Sequence, residues 1–358
     1  MEQANKTLII LSPGFPADET DSTCLPFPQL FVKTLKQLNP SLNIIVFAFQ
    51  YPYKTKDYLW HDVNVIPFNG RNKGKISRLL VWKAVWKRLK QVMKENQVMG
   101  ILNFWLGECA LIGKYAAKKY HVKNLTWLLG QDAKKNNRYF SLIKPTAEEL
   151  IALSDFTADT FYTNYKIKPA NIIPPGIDIG AFPLMPPIRK IDIMGAGSLI
   201  PLKQYDIFIR VVAELAKKKP GIKTLICGEG RERKHLQEMI DMNKLGKNIE
   251  LYGELRHEQV LDLMQCSKVF LHPSSYEGFA TVVSEALYAG AHVVGFCKPM
   301  NNIFKNQHVP VSETEMINNV NEILADINCD HSRVIIYPIE KTCREIMKLY
   351  NTSMAAIL

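Results

Sequence analysis

Residues 191–203 read Ile191-Asp-Ile-Met-Gly195-Ala-Gly197-Ser198-Leu-Ile-Pro-Leu-Lys203, and Tyr205 to Lys218 follow with apolar residues at helical spacing. A short β-branched apolar run, a glycine turn and an amphipathic helix make up the repeating unit of parallel sheets covered by helices. The same alternation extends outward in both directions. Strands are expected at Thr7 to Leu11, Asn43 to Phe49, Gly100 to Asn103 and Leu125 to Leu129, then at Lys223 to Cys227, Ile249 to Tyr252, Val269 to His272 and His292 to Phe296. Helix-length segments such as Phe27 to Leu38, Arg231 to Met242 and His257 to Cys266 lie between them. The fold class is therefore α/β, with two doubly wound, Rossmann-like parallel-sheet domains.

A chain of 358 residues exceeds one ordinary core. Ile179 to Arg189, punctuated by Pro183, Pro186 and Pro187, lacks periodicity and reads as the linker. The expected domains are 1–180 and 181–338, with a helix at Ile339 to Tyr350 in the remaining stretch 339–358, placed to return to the first domain. No internal repeat or low-complexity tract is present. At 47% hydrophobic and 22% charged residues, the composition is that of a soluble globular protein. The apolar run Leu8 to Leu11 is too short for a signal or a membrane span, so a cytoplasmic location is expected. Seven cysteines without a Cys-x-x-Cys pair, and histidines without close spacing, suggest neither a disulfide framework nor a metal site.

The net charge of +11 is unevenly distributed. Residues 1–184 hold 24 Lys and Arg against 14 Asp and Glu, whereas the remainder is nearly balanced at 21 against 20. Arg71 to Lys94 contains nine basic residues and no acid. At 100° per residue Lys83, Lys87, Lys90 and Lys94 form one stripe and Trp82, Val85, Trp86, Leu89 and Met93 another. One reading is an apolar face packed on the core with lysines in solvent. The other is a surface for anionic lipid or an anionic acceptor. No nucleic-acid-binding motif accompanies the charge, so nucleic acid is not expected as a partner.

Ligands of open α/β sheets bind beyond the carboxyl ends of the strands. Three loops in the second half carry suitable residues. Gly197 and Ser198 precede Lys203, which offers a charge for a pyrophosphate; the bland reading is a turn with a solvated lysine. Gly228-Glu-Gly230 is a weak signal alone. Tyr276-Glu277-Gly278-Phe279-Ala280-Thr281-Val282-Val-Ser-Glu285 opens a helix and sets two carboxylates eight residues apart. Helix-start amides there suit a phosphate, and the carboxylates suit hydroxyl groups.

The run from Tyr276 through Gly290 resembles the Glu-x7-Glu signature of glycosyltransferase family 4. The likeness takes in Gly253-Glu254-Leu255, Pro273-Ser274, the loop to Lys203, Gly228-Glu-Gly230 and Pro174-Pro-Gly176-Ile-Asp178, about residues 150–296. It implies the GT-B architecture, two domains facing a cleft, and a hexosyltransferase-type enzyme that uses a nucleotide-sugar donor with retention of configuration. It implies no cofactor or metal. Glu277 would touch the donor sugar, Glu285 the ribose, Lys203 the diphosphate, the backbone at Glu254 and Leu255 the base, and the amides from Phe279 to Val282 the phosphate. Ser198 stands where the family often has arginine. Leu129 replaces the family's histidine, leaving Gln131 and Asp132 as polar candidates; Asp132 is either catalytic or a helix cap. Gly14, in a Ser12-Pro-Gly14-Phe-Pro loop, is a further donor-binding candidate or part of a plain turn. The implied acceptor is a glycan or lipid-linked molecule in surface polysaccharide or lipopolysaccharide synthesis, with the enzyme peripheral on the inner membrane face. A nucleotide-sugar epimerase and a binding subunit without catalysis are the alternatives.

Overall fold

A computed structural model describes residues 6–22, 24–182 and 188–351. The chain divides into two compact units, one running to Gly176 and resuming at Ile339, the other spanning Ile177–Pro338. The first division falls four residues before the expected boundary at 180. The prolines expected to mark the linker, Pro183, Pro186 and Pro187, lie outside the described residues.

The first unit runs β1 (Thr7–Gly14), α1 (Pro26–Leu38), β2 (Asn43–Tyr51), β3 (Tyr58–Trp60), β4 (Val63–Pro67), α2 (Lys75–Glu95), β5 (Val98–Phe104), α3 (Glu108–Tyr120), β6 (Lys123–Leu128), α4 (Phe140–Ile143), β7 (Leu150–Ala152), α5 (Asp155–Tyr165) and β8 (Asn171–Ile172). Its sheet has the order β3-β4-β2-β1-β5-β6-β7-β8, parallel throughout except for the antiparallel β3–β4 edge. Leu8 to Leu11 and Ile44 to Phe49 are buried because both sheet faces are covered, which is why these strands read as continuous apolar runs. Phe31 of α1 meets Trp127 of β6 edge to face at 5.2 Å between centroids.

The second unit holds β9 (Ile191–Ala196), α6 (Tyr205–Lys218), β10 (Thr224–Cys227), α7 (Arg233–Met242), β11 (Ile249–Gly253), α8 (His257–Gln265), β12 (Ser267–His272), α9 (Thr281–Tyr288), β13 (His292–Gly295), β14 (Gln307–His308) and α10 (Glu313–Ala325). Its sheet, β11-β10-β9-β12-β13-β14, is parallel throughout. Successive strand residues face opposite sides. Ile193 packs with Phe208, Val212 and Leu236 on one side. Met194 packs with Leu261, Val283 and Leu287 on the other.

The last helix, α11 (Ile339–Asn351), belongs to the first unit and packs on α1. Ile339, Cys343, Ile346 and Tyr350 form its buried face. The Tyr350 hydroxyl donates to the Ile101 carbonyl of β5 at 2.9 Å, and its ring occupies the space a side chain at Gly100 would need.

Two expectations are corrected within this fold. Gly14 is not in an open loop: β1 continues through Ser12 to Gly14, which pairs with Tyr51, and Phe15 beyond it is fully buried. On α2, Val85 and Leu89 of the expected apolar stripe are fully buried and are joined by Val81 and Val92, so the stripe packs on the core and the tryptophans expected at a membrane or acceptor surface flank that core instead. Trp82 and Trp86 are half-buried on its flank, Trp82 donating to the Glu108 carboxylate at 2.7 Å. The large apolar residues that α2 exposes are Ile76, Leu79 and Leu80, at 78%, 60% and 63% of their surface.

Candidate active site

At the carboxyl ends of β9, β10, β11 and β12, four loops of the second unit are stitched together through their backbones. Gly197 N–H donates to the Cys227 carbonyl at 2.9 Å, Leu199 N–H to Glu229 at 2.9 Å, and Gly228 N–H to Gly253 at 2.7 Å. Ser275 N–H closes the series on Leu202 at 3.0 Å. This stitching explains the second glycine pair. A Cβ on Gly228 would overlap the Gly197 carbonyl, and one on Gly230 the Leu199 carbonyl. Gly197 and Gly228 both sit at φ +145°, a conformation that glycine adopts without strain. These two glycines of the second loop are thus required for its close approach to the first loop.

Into this frame project the side chains the sequence singled out. Lys203 Nζ lies 2.5 Å from Glu277 Oε1, and His272 Nε2 lies 3.0 Å from the same oxygen. All three are mostly or fully buried. Burial drives His272 downward, so at neutral pH the ring is uncharged and donates to the carboxylate from Nε2. Burial also opposes ionisation of Glu277, but the His272 hydrogen bond and the Lys203 ammonium outweigh it and hold the carboxyl down at about 2. The arrangement is an ionised carboxylate and an ammonium fixed against each other at the start of α9.

That helix start is free for an anion. Ala280 occupies its N-cap position at φ 60°, a left-handed conformation uncommon for alanine, and offers no side-chain cap to the amides of Thr281 and Val282. Phe279 beside it is buried. Gly278 and Ser198 complete the loops around Lys203, Ser198 with its side chain in solvent. Glu285, about one turn into α9, faces a different partner: His257 Nε2 is 2.7 Å from its Oε1. The hydrogen bond to Glu285 raises the His257 pKa above its ordinary value. Glu254 and Leu255 lie between β11 and that histidine, Glu254 exposed and Leu255 half-buried.

His272 and His257 were not singled out from sequence. Each follows a readable cue, His272 as the last residue of a strand five positions before Glu277, His257 as the first residue of α8 two positions after Leu255. Their carboxylate partners arise from tertiary contact, which spacing does not reveal. Two hydroxyls near this network, Tyr205 Oη and Ser274 Oγ, are buried without hydrogen-bond partners.

In the first unit, Asp132 is 6% exposed, and its Oδ2 accepts the Leu129 amide at 2.8 Å, reaching back across the turn Gly130–Ala133. Burial pushes its carboxyl up to about 7 against the pull of the Leu129 and Leu106 amides. This geometry is that of a cap, the second of the two roles expected for it. Gln131 beside it is exposed. Among the described residues no group of three or more His, Cys, Asp or Glu is placed to hold a metal ion.

Residues 186–325, most of the second unit, match the family model of glycosyl transferases group 1. The chain carries a group 1 glycosyl transferase domain. Over 92 residues it is 34% identical to the phosphatidylinositol N-acetylglucosaminyltransferase gpi3 subunit of Schizosaccharomyces pombe, covering 26% of this chain and 20% of that protein. Over 115 residues it is 34% identical to the UDP-N-acetylglucosamine–peptide N-acetylglucosaminyltransferase GtfA subunit of Streptococcus parasanguinis, covering 32% and 22%. The matched stretch spans about a fifth of the length of these relatives. The fold match is broader than the glycosyl transferase domain. Sucrose-phosphate synthase from Thermosynechococcus elongatus superposes with a TM-score of 0.71 at 16% identity, covering 98% of this chain and 100% of that one. Both units together therefore have the GT-B fold.

Proposed function

We propose that the chain transfers a sugar from a nucleotide-sugar donor to a glycan or lipid-linked acceptor. The observation that carries this reading is the Lys203–Glu277–His272 network at the uncapped start of α9. In the proposed reaction the anomeric C1–O bond to the diphosphate breaks and the acceptor oxygen bonds C1 on the same face. The departing phosphate oxygen takes the acceptor proton. Lys203 and the α9 amides stabilise the charge that develops on the diphosphate, with no metal assigned to that task. Glu277, kept ionised, receives sugar hydroxyls, and Glu285 receives those of the ribose. The names of both relatives favour N-acetylglucosamine as the sugar, and that of GtfA favours UDP as its carrier. Synthesis of a surface polysaccharide or lipopolysaccharide suits this reading.

Among the described residues no helix is long and apolar enough to cross a membrane. Attachment at the surface is proposed through α2, where exposed Ile76, Leu79 and Leu80 adjoin exposed Lys83 and Lys87.

A ligand that binds the folded state alone raises its melting temperature. UDP-N-acetylglucosamine is expected to raise the Tm of the wild type more than GDP- or ADP-sugars do, with a smaller rise in Glu285→Ala. No shift with any nucleotide-sugar in the folded wild type would sink the proposal.

A further inference from the structure

A pocket lies wholly within the first unit, with a volume of about 340 Å³. It opens beyond the carboxyl ends of β1 and β5, with Pro13 from one and Phe104 and Trp105 from the other in its wall. These neighbouring strands mark the point where the topology reverses. β1 leads through α1 to β2 on one side, and β5 leads through α3 to β6 on the other. Such a switch point leaves a crevice in which open α/β sheets bind ligands.

The charges in this pocket do not cancel. Arg78 enters from α2 and Arg138 from the segment before α4; the latter is placed by Asn137, whose Nδ2 donates to the Leu106 carbonyl at 2.9 Å. The acid in the wall is Glu108, and its two oxygens are already engaged by Gln50 Nε2 at 2.5 Å and Trp82 Nε1 at 2.7 Å. Arg78 forms an ion pair with that carboxylate, 3.8 Å from its Nε, an atom that is buried and makes no hydrogen bond, so with two arginines to one acid the excess charge of the pocket is that of Arg138. No carboxylate among the described residues pairs with Arg138, whose guanidinium lies over the Tyr139 ring at 5.2 Å. The start of α3 adds its first amides, since Gly107 provides no side-chain cap. Trp105 at φ 67° stands beside them, held there by its amide on the Trp127 carbonyl at 3.1 Å. A non-glycine residue in that conformation carries strain that its surroundings must hold.

We infer that this pocket binds the phosphate ester of a sugar or polyol, with Arg78 and Arg138 on the phosphate and the Trp105 and Tyr139 rings against the carbon skeleton. It deepens the transferase reading and rests on it in one respect, that the ester belongs to the acceptor. Two arginines lining one pocket offer the charge-assisted pairs that phosphate favours. A volume near 340 Å³ suits a ligand about the size of a hexose phosphate.

Calorimetric titration of the intact chain with glucose 1-phosphate, glycerol 3-phosphate and glucose tests the assignment. The esters are expected to saturate a site that glucose does not occupy. Arg138→Gln and Arg78→Gln each raise Kd about tenfold or more. Lys118→Gln, at the far end of α3, leaves it unchanged. Phosphatidylcholine vesicles containing phosphatidylinositol form the second arm. Binding to these vesicles in place of the soluble esters, lost in Arg138→Gln, identifies a lipid-borne ester. Binding of neither probe, or binding that ignores both arginine substitutions, overturns the inference. The Tm shift with UDP-N-acetylglucosamine is read in the same variants. A donor shift without ester binding removes this inference alone, whereas ester binding without a donor shift removes the transferase reading alone.

Discussion

The carboxylate of Asp132 is turned into the fold, and that orientation has a thermodynamic signature. Its folded-state pKa of about 7 lies above the ordinary 3.8, so between those values the folded chain holds a proton that the unfolded chain has released. The contribution is fully present below pH 4 and disappears as pH rises through 7, on the order of 4 kcal/mol at most. Asp132→Asn keeps an acceptor for the Leu129 amide and removes the titration. Urea unfolding of the variant is expected to show a flatter dependence between pH 4.5 and 7, with turnover retained. Loss of turnover in a folded variant would show that the carboxylate has a catalytic role beside the cap. Glu277 is the opposite case, held down at about 2 by its hydrogen-bonded neighbours and ionised at any physiological pH. The two acids show what sequence does and does not convey. Glu277 was legible from its motif, whereas the role of Asp132 depended on which amides its side chain reaches, and His272 and His257 became visible only through their carboxylate partners.

Among the elements, legibility followed length and burial. β9, β10, β12, α6 and α8 emerged within one or two residues of expectation, because a strand buried on both faces is a continuous apolar run and a helix over a sheet repeats every three or four residues. The strands β3, β7, β8 and β14, two or three residues each, carry too few positions for any period. Helix α2 was recognised as amphipathic, and its expected stripe packs on the core with Val85 and Leu89 fully buried; Val81 and Val92 at its edge were missed, and the packed tryptophans are not available to a membrane. The correction moves the proposed membrane contact toward the start of the helix. Leu79→Glu with Leu80→Glu is expected to abolish salt-sensitive co-sedimentation with vesicles rich in phosphatidylglycerol, with Tm nearly unchanged because both side chains are already exposed. Trp86→Ala is expected to lower the Tm, as a half-buried ring packed on the core does when truncated. Equal sedimentation of the double variant and the wild type would remove α2 as the attachment site.

At the scale of the molecule, the two-sheet architecture was legible from the alternation of elements, and so was a last helix returning to the first unit; the surface it covers there was not. An amphipathic helix announces that it needs a partner, not which one. Here the partners are α1 and β5, where Tyr350 fills the place beside Gly100. A chain ending at Pro338 is expected to lower the thermal transition of the first unit by several degrees while leaving that of the second in place, resolved by calorimetry with fluorescence of the first unit's five tryptophans. A uniform drop in both transitions would contradict this division.

The same helix sets an order of events during synthesis. A ribosome delivers β1 to β8 first, yet the surface of α1 and the groove at Gly100 stay uncovered until residues 339–351 have been made. The second unit, made in the interval, has every strand and helix it needs before the first is whole. The half of the protein born first is completed last, and a nascent chain halted anywhere in the second unit presents that bare apolar groove to chaperones and proteases.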